Sequence, residues 1–541
     1  MAEVRNKRIT FHVGCLIAIF VCTVFGPGLQ SVAALAWLFY PFLIHYGRNG
    51  TTRWPMWIVL AFVWALGSWV ANMGALRVYD DEGSFGIESL EVLGYAAALV
   101  ILMIPSVLVD KLAWKQWGEK YPLLTTLVFP AAYAGTWRVF FYAMPFGALG
   151  HVATTVYQWT DLLQLASVFG ADGIAFLMAW SGPVVFHKLY SESQIKYDSV
   201  SDTMETLQEP QVKEQAKKSV NKAVQFIKTP IGVYFSSVFL VFLIGGFRIS
   251  SWGTGGFFQK SISHTAPEYI DYGCVISDGT YRDATSLFAR SQTLVNRGSR
   301  LILWSEEAVI MNTTVLETQL LQNTSKFAKA NDIFIGVTYQ VFLNQNQDSS
   351  RNMMAVYGPN GDQLILYQKT HPVPLAEPGV IPGPEGIPTV AVKNFTGHNP
   401  STSLTLGTSI CFDVTGFPQH DQYAAWNSVD IVLQPLGLGV RSRTKIILKC
   451  FTRCENGVTV FRCSSRGFSA VVNGFGVASY QKQTTADEDF VATVPVAKRI
   501  FSLFPFFGLA FGWVCLGRTV LVQSGWFGCV YLNGERSGML P

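Results

Sequence analysis

Eight stretches of this chain are apolar over the length of a membrane-crossing helix, which constrains its fold more than any other feature of the sequence. A helix needs about 20 predominantly apolar residues to cross a bilayer, and it satisfies its backbone hydrogen bonds internally. The composition agrees, since 50% of the 541 residues are hydrophobic and only 14% are charged. The candidate spans lie at about 10–26, 29–46, 55–74, 91–110, 122–146, 161–188, 229–247 and 501–523. We therefore expect a polytopic α-helical membrane domain. The fifth candidate is the weakest, because it contains Arg138, a residue expected to snorkel or to be paired, with contact to a lipid phosphate as the functional alternative.

The charges of the loops predict how the spans are oriented. Lysine and arginine are concentrated at the N-terminus and after the second, fourth and sixth candidate spans, whereas the loop after the third is acidic and the loop after the fifth is nearly uncharged. Because basic loops stay on the cytoplasmic side, we expect both termini in the cytosol and residues 251–500 on the opposite side. That side is the periplasm in a bacterium. In a eukaryote it is the lumen of the endoplasmic reticulum, where the sequons at Asn312, Asn323 and Asn394 would be glycosylated.

The order of these segments predicts one soluble part among the spans. We expect a six-span membrane domain at 1–190, a cytosolic linker at 191–228, a seventh span at 229–250, an α/β domain at 251–500, an eighth span at 501–524 and a cytosolic tail at 525–541. Within the α/β domain, short apolar runs alternate with helical patterns and also form hairpins, which indicates a mixed sheet covered by helices. The net charge of +4 is small for this length, so nucleic acid is not an expected partner.

The nine cysteines do not show the close spacing of a metal site or of a disulfide framework. A disulfide among Cys450, Cys454 and Cys463 stays open as an alternative, because this part of the chain is expected in an oxidising compartment. Neither a metal nor another cofactor is expected.

Three predicted strands of the α/β domain end at residues that can carry chemistry. The strand LTLGTSI leads to Cys411, the strand RLILW leads to Glu306, and the second strand of a hairpin ends at Lys369. A thiol attacks a carbonyl carbon as a thiolate, a carboxylate can remove its proton, and an ammonium can stabilise the negative charge that forms. Each residue alone is more often structural, such as a free cysteine packed in a core. Together they predict acyl transfer through a thioester.

Longer motifs around these residues resemble a known family. WSEEA at 304–308, YQKTHPVPLAE at 367–377 and ICFD at 410–413 resemble the three catalytic motifs of the carbon–nitrogen hydrolase (nitrilase) superfamily. The resemblance is greatest to its membrane branch, apolipoprotein N-acyltransferase, whose order of seven spans, an extracytoplasmic domain and an eighth span is the same. Residues 164–177 and 453–478 resemble further stretches of that family. The resemblance implies an αββα sandwich for the α/β domain.

The resemblance also implies a two-step reaction and a role for each of the three residues. Glu306 is the general base, Cys411 is the nucleophile, and Lys369 is the partner of the thiolate and of the oxyanion. Cys411 would take an acyl chain from a phospholipid as a thioester. An amine on a lipoprotein, a peptide or a lipid would then accept the chain.

Three further residues of these motifs are expected to support the site. Glu377 would orient Lys369. Asp413 keeps the charge of the family's glutamate on a shorter side chain. His371 is expected to be a structural hydrogen-bonding residue behind Lys369 rather than a catalytic one.

Departures from the family pattern leave alternatives open. Ser305 replaces the usual proline, and Glu307 is a rival to Glu306 as general base, although Glu306 is in register. The stretch QPLGLGVRSR at 434–443 does not align with the family's substrate entrance, so the acceptor is the weakest part of the resemblance. A membrane-tethered amidase that uses the same cysteine and a non-catalytic membrane scaffold are the alternative functions. The segment 376–388, rich in proline and glycine, is either a lid or a surface loop.

Overall fold

The structure is a computed structural model of the whole chain. It describes residues 2–27, 31–73, 85–143, 150–202, 225–253, 268–277, 284–344, 346–373, 377–397, 403–413, 427–438, 455–484, 488–496 and 498–536. These residues form a helical part, made from both ends of the chain, and a sandwich of two β-sheets that lies between them in sequence.

The helical part contains long apolar helices and a few short ones. In chain order they are α1 (Ala2–Phe25), α2 (Ala33–Asn49), α3 (Trp54–Asn72), α4 (Phe85–Trp117), α5 (Pro122–Thr126), α6 (Val128–Ala143), a 3₁₀-helix (Val152–Val156), α7 (Thr160–Leu163), α8 (Ala166–Asp202) and α9 (Pro230–Gly253), with Phe504–Arg536 following the sandwich. Among the described residues, four stretches are long and apolar enough to cross a membrane: Trp54–Asn72, Ser89–Trp117, Ala166–Glu192 and Pro230–Ser250. Ile9–Phe25 and Phe504–Val520 are apolar but shorter.

One face of α9 carries a row of exposed, large apolar side chains. Phe235, Phe239, Leu243 and Phe247 follow one another at each helical turn, and each side chain is more than half exposed. Soluble proteins rarely expose such a continuous row of large apolar side chains to water, whereas lipid can cover it. The arrangement of eight spans stays a prediction.

The expected fifth span, 122–146, is not one continuous helix. α5 and α6 are separated at Leu127, whose N–H donates to the carbonyl oxygen of Leu124, three residues earlier. This spacing tightens the turn and leaves α6 with 16 residues, fewer than the roughly 20 that a perpendicular span needs. The last part of the expected span, 144–146, lies outside the described residues.

Arg138 on α6 is paired, which was one of the expectations for it. Its side chain is buried, and its Nε and Nη2 atoms lie 3.0 and 2.5 Å from Oδ2 of Asp172 on α8. The neighbouring carboxylate therefore compensates the charge of Arg138 inside the helical part.

The sandwich is built from two mixed sheets. The first has the strand order β12-β1-β2-β4-β5-β6, with β3 pairing β4, and the second has the order β11-β10-β9-β8-β7. The strands are β1 (Glu268–Val275), β2 (Leu301–Trp304), β3 (Val309–Met311), β4 (Phe334–Phe342), β5 (Ser350–Tyr357), β6 (Gln363–Gln368), β7 (Thr389–Lys393), β8 (Ser403–Thr408), β9 (Ile431–Leu438), β10 (Thr459–Val472), β11 (Ala478–Thr484) and β12 (Phe490–Val496). The pairs β1–β2, β2–β4, β8–β9 and β9–β10 are parallel.

The sheets pack face to face, and two helices cover the outer face of the first sheet. The core between the sheets includes Leu303 of β2, Leu406 of β8 and Leu433 of β9. The helices α10 (Thr285–Asn296) and α11 (Thr314–Asn331) lie on the other face of the first sheet, against a cluster that includes Trp304. The described residues thus form three layers of the expected αββα arrangement: one layer of helices and the two sheets. The chain that links β8 to β9 and β9 to β10 is largely outside the described residues.

A disulfide joins the two sheets through the core. It links Cys274 of β1 to Cys463 of β10, whose Cα atoms are 5.5 Å apart. The open alternative of a bond among three nearby cysteines is therefore wrong for Cys463, because its strand faces β1 across the core. Cys450 and Cys454 lie outside the described residues.

Direct hydrogen bonds attach the sandwich to the helical part. The N–H of Ala171 on α8 donates to Oε1 of Glu455 at 2.8 Å, and Nε2 of Gln164 donates to the carbonyl oxygen of Phe475 at 2.9 Å. Arg248 on α9 donates from Nη1 to Oε1 of Gln164 at 2.8 Å. Since these groups are largely buried, the junction fixes the sandwich against α8 and α9.

The junction lies at one edge of the second sheet. Glu455 precedes β10, and β10 doubles back, since its first half pairs with β9 and its second half with β11. The two ends therefore lie together, and a Cβ on Gly474 would lie 2.4 Å from the carbonyl oxygen of Gly457. Because β8, β9 and β10 are parallel in register, Cys411, which follows β8, lies at the opposite edge.

Candidate active site

Glu306 is positioned by a rigid turn after β2. The Oγ of Ser305 accepts from the N–H of Ser277 at 2.8 Å, and the carbonyl oxygen of Ser305 accepts from the hydroxyl of Thr338. Ser305 thus anchors the turn with its hydroxyl where the family pattern has proline. The next residue, Glu306, is buried, whereas Glu307 is partly exposed and has φ of 50°.

Lys369 is fully buried and directly contacts two carboxylates. It follows β6, and its N–H donates to the carbonyl oxygen of Asn352 on β5 at 2.9 Å. Its Nζ lies 2.8 Å from Oε1 of Glu306, and 2.6 and 2.8 Å from the two oxygens of Glu377. Because an ammonium has three hydrogens, these three contacts use all of them.

Cys411 lies in a turn with a left-handed backbone. Its φ is +46°, a conformation that costs a residue other than glycine about 1–3 kcal/mol and that persists only where the surroundings impose it. The N–H of Cys411 donates to the carbonyl oxygen of Pro435 at 3.0 Å, and its own carbonyl accepts from Nε2 of Gln434 at 3.3 Å. The thiol, which is nearly buried, is hydrogen-bonded to Glu306. The three residues expected to act together therefore meet.

Asp413 ties the cysteine turn to the chain around Lys369. It is fully buried and accepts from the N–H of Ile410 at 3.0 Å, the hydroxyl of Tyr367 at 2.8 Å and the N–H of His371 at 2.7 Å. The ring of His371 lies 3.5 Å from Asp413 and 3.3 Å from the largely exposed Glu385. Asp413 and His371 thus lie behind the site, where they can position it.

Two residues near Glu306 were missed by sequence reasoning. The N–H of Gly437 donates to Oε2 of Glu306 at 2.6 Å, and Nδ2 of Asn352 donates to Oε1 of Glu306 at 2.9 Å and to Oε1 of Glu307 at 3.0 Å. Gly437 belongs to the stretch that did not align with the family. Asn352 is a polar residue in the apolar strand NMMAVY, which was a usable signal.

The charges around the thiol suit a base that stays ionised. Burial would raise the pKa of Glu306, but the Lys369 ammonium, with the hydrogen bonds from Lys369, Cys411 and Gly437, holds this pKa below its ordinary value. Burial would lower the pKa of Lys369, but Glu306, Cys411 and Glu377 raise it well above its ordinary value. At neutral pH Glu306 is therefore a carboxylate and Lys369 an ammonium.

The other two carboxyl groups hold their protons more strongly. Burial and the adjacent Glu306 carboxylate raise the pKa of Glu307 to about 8, against the effect of Lys369. Burial raises the pKa of Glu377 despite its contact with Lys369. Of the two candidate bases, Glu306 is thus the one that is ionised at neutral pH and that contacts the thiol.

The segment 377–388 of the possible lid is fastened to the sandwich. The N–H of Gly383 donates to the carbonyl oxygen of Lys369 at 2.7 Å, and the N–H of Ile381 donates to that of Ser350 at 2.9 Å. The N–H of Val373 donates to Glu377 Oε2 at 2.5 Å. These contacts hold Glu377 in place and favour the surface-loop alternative.

The three glutamates are also the one group of described residues with the proximity of metal ligands. Oxygen atoms of Glu306, Glu307 and Glu377 lie within 4.8 Å of one another. The ammonium of Lys369 contacts two of these carboxylates at 2.6–2.8 Å and supplies them with a positive charge.

Comparison with known proteins gave similarities to solved structures alone. The NitN amidase from Nesterenkonia sp. AN1 is similar over 42% of this chain and 93% of its own, with 17% identity and a TM-score of 0.35. An amidase from Nesterenkonia sp. is similar over 44% and 94%, with 16% identity and a TM-score of 0.36. A mutant of the AN1 amidase, described as belonging to the nitrilase superfamily, is similar over 43% and 93%, with 16% identity and a TM-score of 0.35.

No family model and no curated protein matches the chain. The three neighbours named above are amidases, and one of them is described as belonging to the nitrilase superfamily; a similarity at this level assigns neither a family nor an activity to this chain.

Proposed function

We propose that the protein is a membrane-bound N-acyltransferase that moves an acyl chain from a phospholipid, through a thioester on Cys411, to an amine. The observation that carries this proposal is the chain of contacts from the Cys411 thiol to the ionised Glu306 and from Glu306 to the buried Lys369. A thiol, a base and a fixed cation in direct contact are what thioester chemistry requires.

In the first step, Glu306 removes the proton from the thiol as Sγ attacks the ester carbonyl of a phospholipid. The C–S bond forms, and the ammonium of Lys369 stabilises the negative charge on the carbonyl oxygen. The C–O bond then breaks, and the leaving alkoxide takes the proton from Glu306. The products are the Cys411 thioester and a lysophospholipid.

In the second step, a neutral amine attacks the thioester carbonyl. The C–N bond forms, the C–S bond breaks, and the proton lost by nitrogen returns to sulfur through Glu306. The product is an N-acyl amide, on a lipoprotein, a peptide or a lipid.

The choice of a phospholipid as donor is supported by the helical part of the chain. Four described stretches are long and apolar enough to cross a membrane, and the exposed apolar face of α9 suits contact with lipid. A domain held against such helices meets acyl chains at high local concentration. The resemblance of the three motifs to apolipoprotein N-acyltransferase points to the same donor.

We further propose that the sandwich lies outside the cytoplasm. Two observations support this location: a disulfide such as Cys274–Cys463 persists in an oxidising compartment, and the sequon residues Asn312 and Asn323 have exposed side chains. Asn394, the third, is partly buried. In a eukaryotic cell the compartment is the lumen of the endoplasmic reticulum, and glycosylation of Asn312 or Asn323 would be seen as a gel shift that glycosidase reverses.

A test of the activity is incubation of the detergent-solubilised protein with a phospholipid that carries a labelled acyl chain. We expect label on the wild-type protein, its release by hydroxylamine or by an amine, and no label on Cys411→Ala. Equal labelling of the two proteins, or none on the wild type, would refute the proposal.

The second candidate is a membrane-tethered amidase, and one observation favours it. Cys411 lies at the edge of the second sheet opposite the described junction with the helices. The six residues of β8 alone extend about 20 Å, so the thiol is set back from this junction by at least the length of a strand. A small soluble amide would need no path from the bilayer, so release of ammonia or amine without lipid supports this candidate.

A further inference from the structure

The candidate active site has more carboxyl groups than cations. Glu306, Glu307 and Glu377 lie within 4.8 Å of one another, and Lys369 is the one cation that contacts them among the described residues. Lys369 uses its three hydrogens on Glu306 and Glu377. Lys369 therefore has no hydrogen left to donate to Glu307.

Glu307 is also the more accessible of the two carboxyl groups that follow β2. Its side chain is partly exposed, whereas those of Glu306 and Lys369 are buried. It lies next to Glu306, which contacts the thiol of Cys411. A ligand that reaches Glu307 is thus close to the sulfur atom.

Asn352 provides a second, independent indication of a missing ligand. The residue is completely buried, and its Nδ2 donates to both Glu306 and Glu307. Its Oδ1 atom is buried and accepts no hydrogen bond from any residue that the structure describes. A buried acceptor without a donor costs about 1–3 kcal/mol, so this position calls for a donor, and the adjacent carboxyl group favours a donor with a positive charge.

We propose that Glu307 and the amide oxygen of Asn352 bind the ammonium group of the acceptor beside Cys411, so that the enzyme selects cationic amines over water and neutral nucleophiles. This inference rests on the proposed N-acyltransferase function. A primary ammonium carries one positive charge and three N–H donors, which matches one carboxylate and one neighbouring amide oxygen. Glu307 thereby becomes a specificity-determining residue of the second step.

The protons of this step can be followed. The ammonium gives one proton to the Glu307 carboxylate, and the resulting neutral amine attacks the thioester. The C–N bond forms, the C–S bond breaks, and the second proton passes from nitrogen to sulfur through Glu306. Glu307 then releases its proton to solvent. One acyl thioester and one ammonium yield one amide, one thiol and one proton.

The neighbours of Glu307 set the pH range in which it works. Burial, Glu306 and Glu377 raise the pKa of Glu307, while Lys369 lowers it, with a result of about 8. In the unliganded site Glu307 therefore becomes a carboxylate as pH rises through about 8. We expect the KM for a cationic amine to fall over this range, as long as the amine keeps its own proton.

The experiment separates the two half-reactions. The acyl-enzyme is first formed with a labelled phospholipid and quantified. Transfer is then measured at about pH 9, where most Glu307 is ionised, to a peptide whose lysine amine keeps its proton (ordinary pKa about 10.4) and to hydroxylamine, which is neutral there. The proteins are the wild type, Glu307→Gln, Glu307→Asp and, as a matched loss of one negative charge, Asp362→Asn in the exposed turn between β5 and β6.

In Glu307→Gln we expect the ratio of transfer to the peptide amine over transfer to hydroxylamine to fall about tenfold or more, since a hydrogen bond to a charged group is lost. The loss should lie mainly in the KM for the peptide, and the change of KM near pH 8 should disappear. Glu307→Asp should restore part of the ratio, and Asp362→Asn should behave as the wild type.

An unchanged ratio in Glu307→Gln overturns the inference. Equal slowing with both nucleophiles also overturns it, because the role of Glu307 would then be structural. If the wild-type protein forms no acyl-enzyme, the proposed function itself is refuted, and this outcome is distinct because it precedes any transfer measurement.

Discussion

The turn that carries Cys411 depends on Asp413, and replacing this residue tests whether the fold positions the nucleophile. Asp413 is fully buried and accepts three hydrogen bonds, from Ile410, Tyr367 and His371. Asp413→Asn keeps the shape of the side chain but has one acceptor oxygen where the carboxylate has two. Its NH₂ group must therefore face at least one of the three donors.

The size of the effect follows from these contacts. Oδ1 accepts from the N–H of His371, and Oδ2 accepts from the N–H of Ile410 and the hydroxyl of Tyr367. In Asp413→Asn, the single carbonyl oxygen can accept either from His371 or from Ile410 and Tyr367, but not from both groups of donors. Since a hydrogen bond to a charged group contributes about 1.5–3 kcal/mol, losing one or two of these bonds should lower the free energy of unfolding by about 2–4 kcal/mol.

A matched control is available at the other edge of the second sheet. Asp430, which precedes β9, accepts from the N–H groups of Thr405 and Arg499, both at 2.8 Å. Asp430→Asn should cause a similar loss of stability away from Cys411. Thermal unfolding in detergent, followed by tryptophan fluorescence, measures the stability of each variant.

Thioester formation per folded molecule measures positioning. We expect Asp413→Asn to slow it by about 10- to 100-fold, since a displacement of about 1 Å has effects of that order, whereas Asp430→Asn should match the wild type. Wild-type acylation in folded Asp413→Asn, or equal slowing in both variants, would refute the reasoning.

Four further predictions concern the site and the sandwich. Lys369→Met leaves buried carboxylates without their cation, and breaking a buried ion pair costs about 3–5 kcal/mol. We therefore expect a lower unfolding temperature and no labelled thioester. A stable, labelled variant would contradict this. Gly437→Ala places a Cβ 3.1 Å from Oε2 of Glu306. We expect acylation to slow about tenfold, which is an increase of about 1.4 kcal/mol in the activation free energy, with little change in unfolding temperature. An unchanged rate would show that the close approach is unimportant. Because the pKa of Glu306 lies below its ordinary value of 4.5, the stabilisation from its ionised form should persist as pH falls to 4.5 and be lost only below that pH. The unfolding temperatures of the wild type and Glu306→Gln, measured over a pH series, should therefore converge only below pH 4.5, and convergence near neutral pH would be inconsistent with the ionised pair. Replacing both Cys274 and Cys463 by alanine should lower the free energy of unfolding by about 2–5 kcal/mol, measured without reductant, and stability equal to the wild type would argue against the disulfide.

The apolar helices were predictable because their signal is local. A run of about 20 apolar residues indicates a span without knowledge of any tertiary contact, and the described helices α3, α4, α8 and α9 fall on such runs. The break at Leu127 has a different signal, which a count of apolar residues does not show. Pro130 has no N–H to donate to the carbonyl oxygen of Thr126, four residues earlier, and its ring crowds that carbonyl, so the helix is interrupted just before it.

The parts of the site that side chains supply could be predicted, and the part that the backbone supplies could not. Glu306, Lys369 and Cys411 end predicted strands and lie in recognisable motifs, and the structure brings them together. Gly437 contributes an N–H, which any residue except proline possesses, so its sequence carries no signal for that contact. Its distance from Glu306 depends on how the second sheet packs on the first.

The disulfide likewise could not be predicted from the sequence. Cys274 and Cys463 are 189 residues apart, and sequence spacing indicates nothing about such a pair. Their pairing is decided by the packing of β1 against β10, which is a property of the whole sandwich. The alternative left open in the sequence analysis considered three cysteines that are near one another in the chain and did not include Cys274.

The central claim is that the sulfur atom of Cys411 holds a fatty acyl chain between donor and acceptor. The most direct measurement is mass spectrometry of the Cys411 peptide after the purified protein has been incubated with a phospholipid of defined acyl chains. We predict that the peptide gains the mass of the supplied acyl group and loses it again when a primary amine is added. A Cys411 peptide that stays unmodified in the folded protein, or an acyl group found on another residue, would contradict the account.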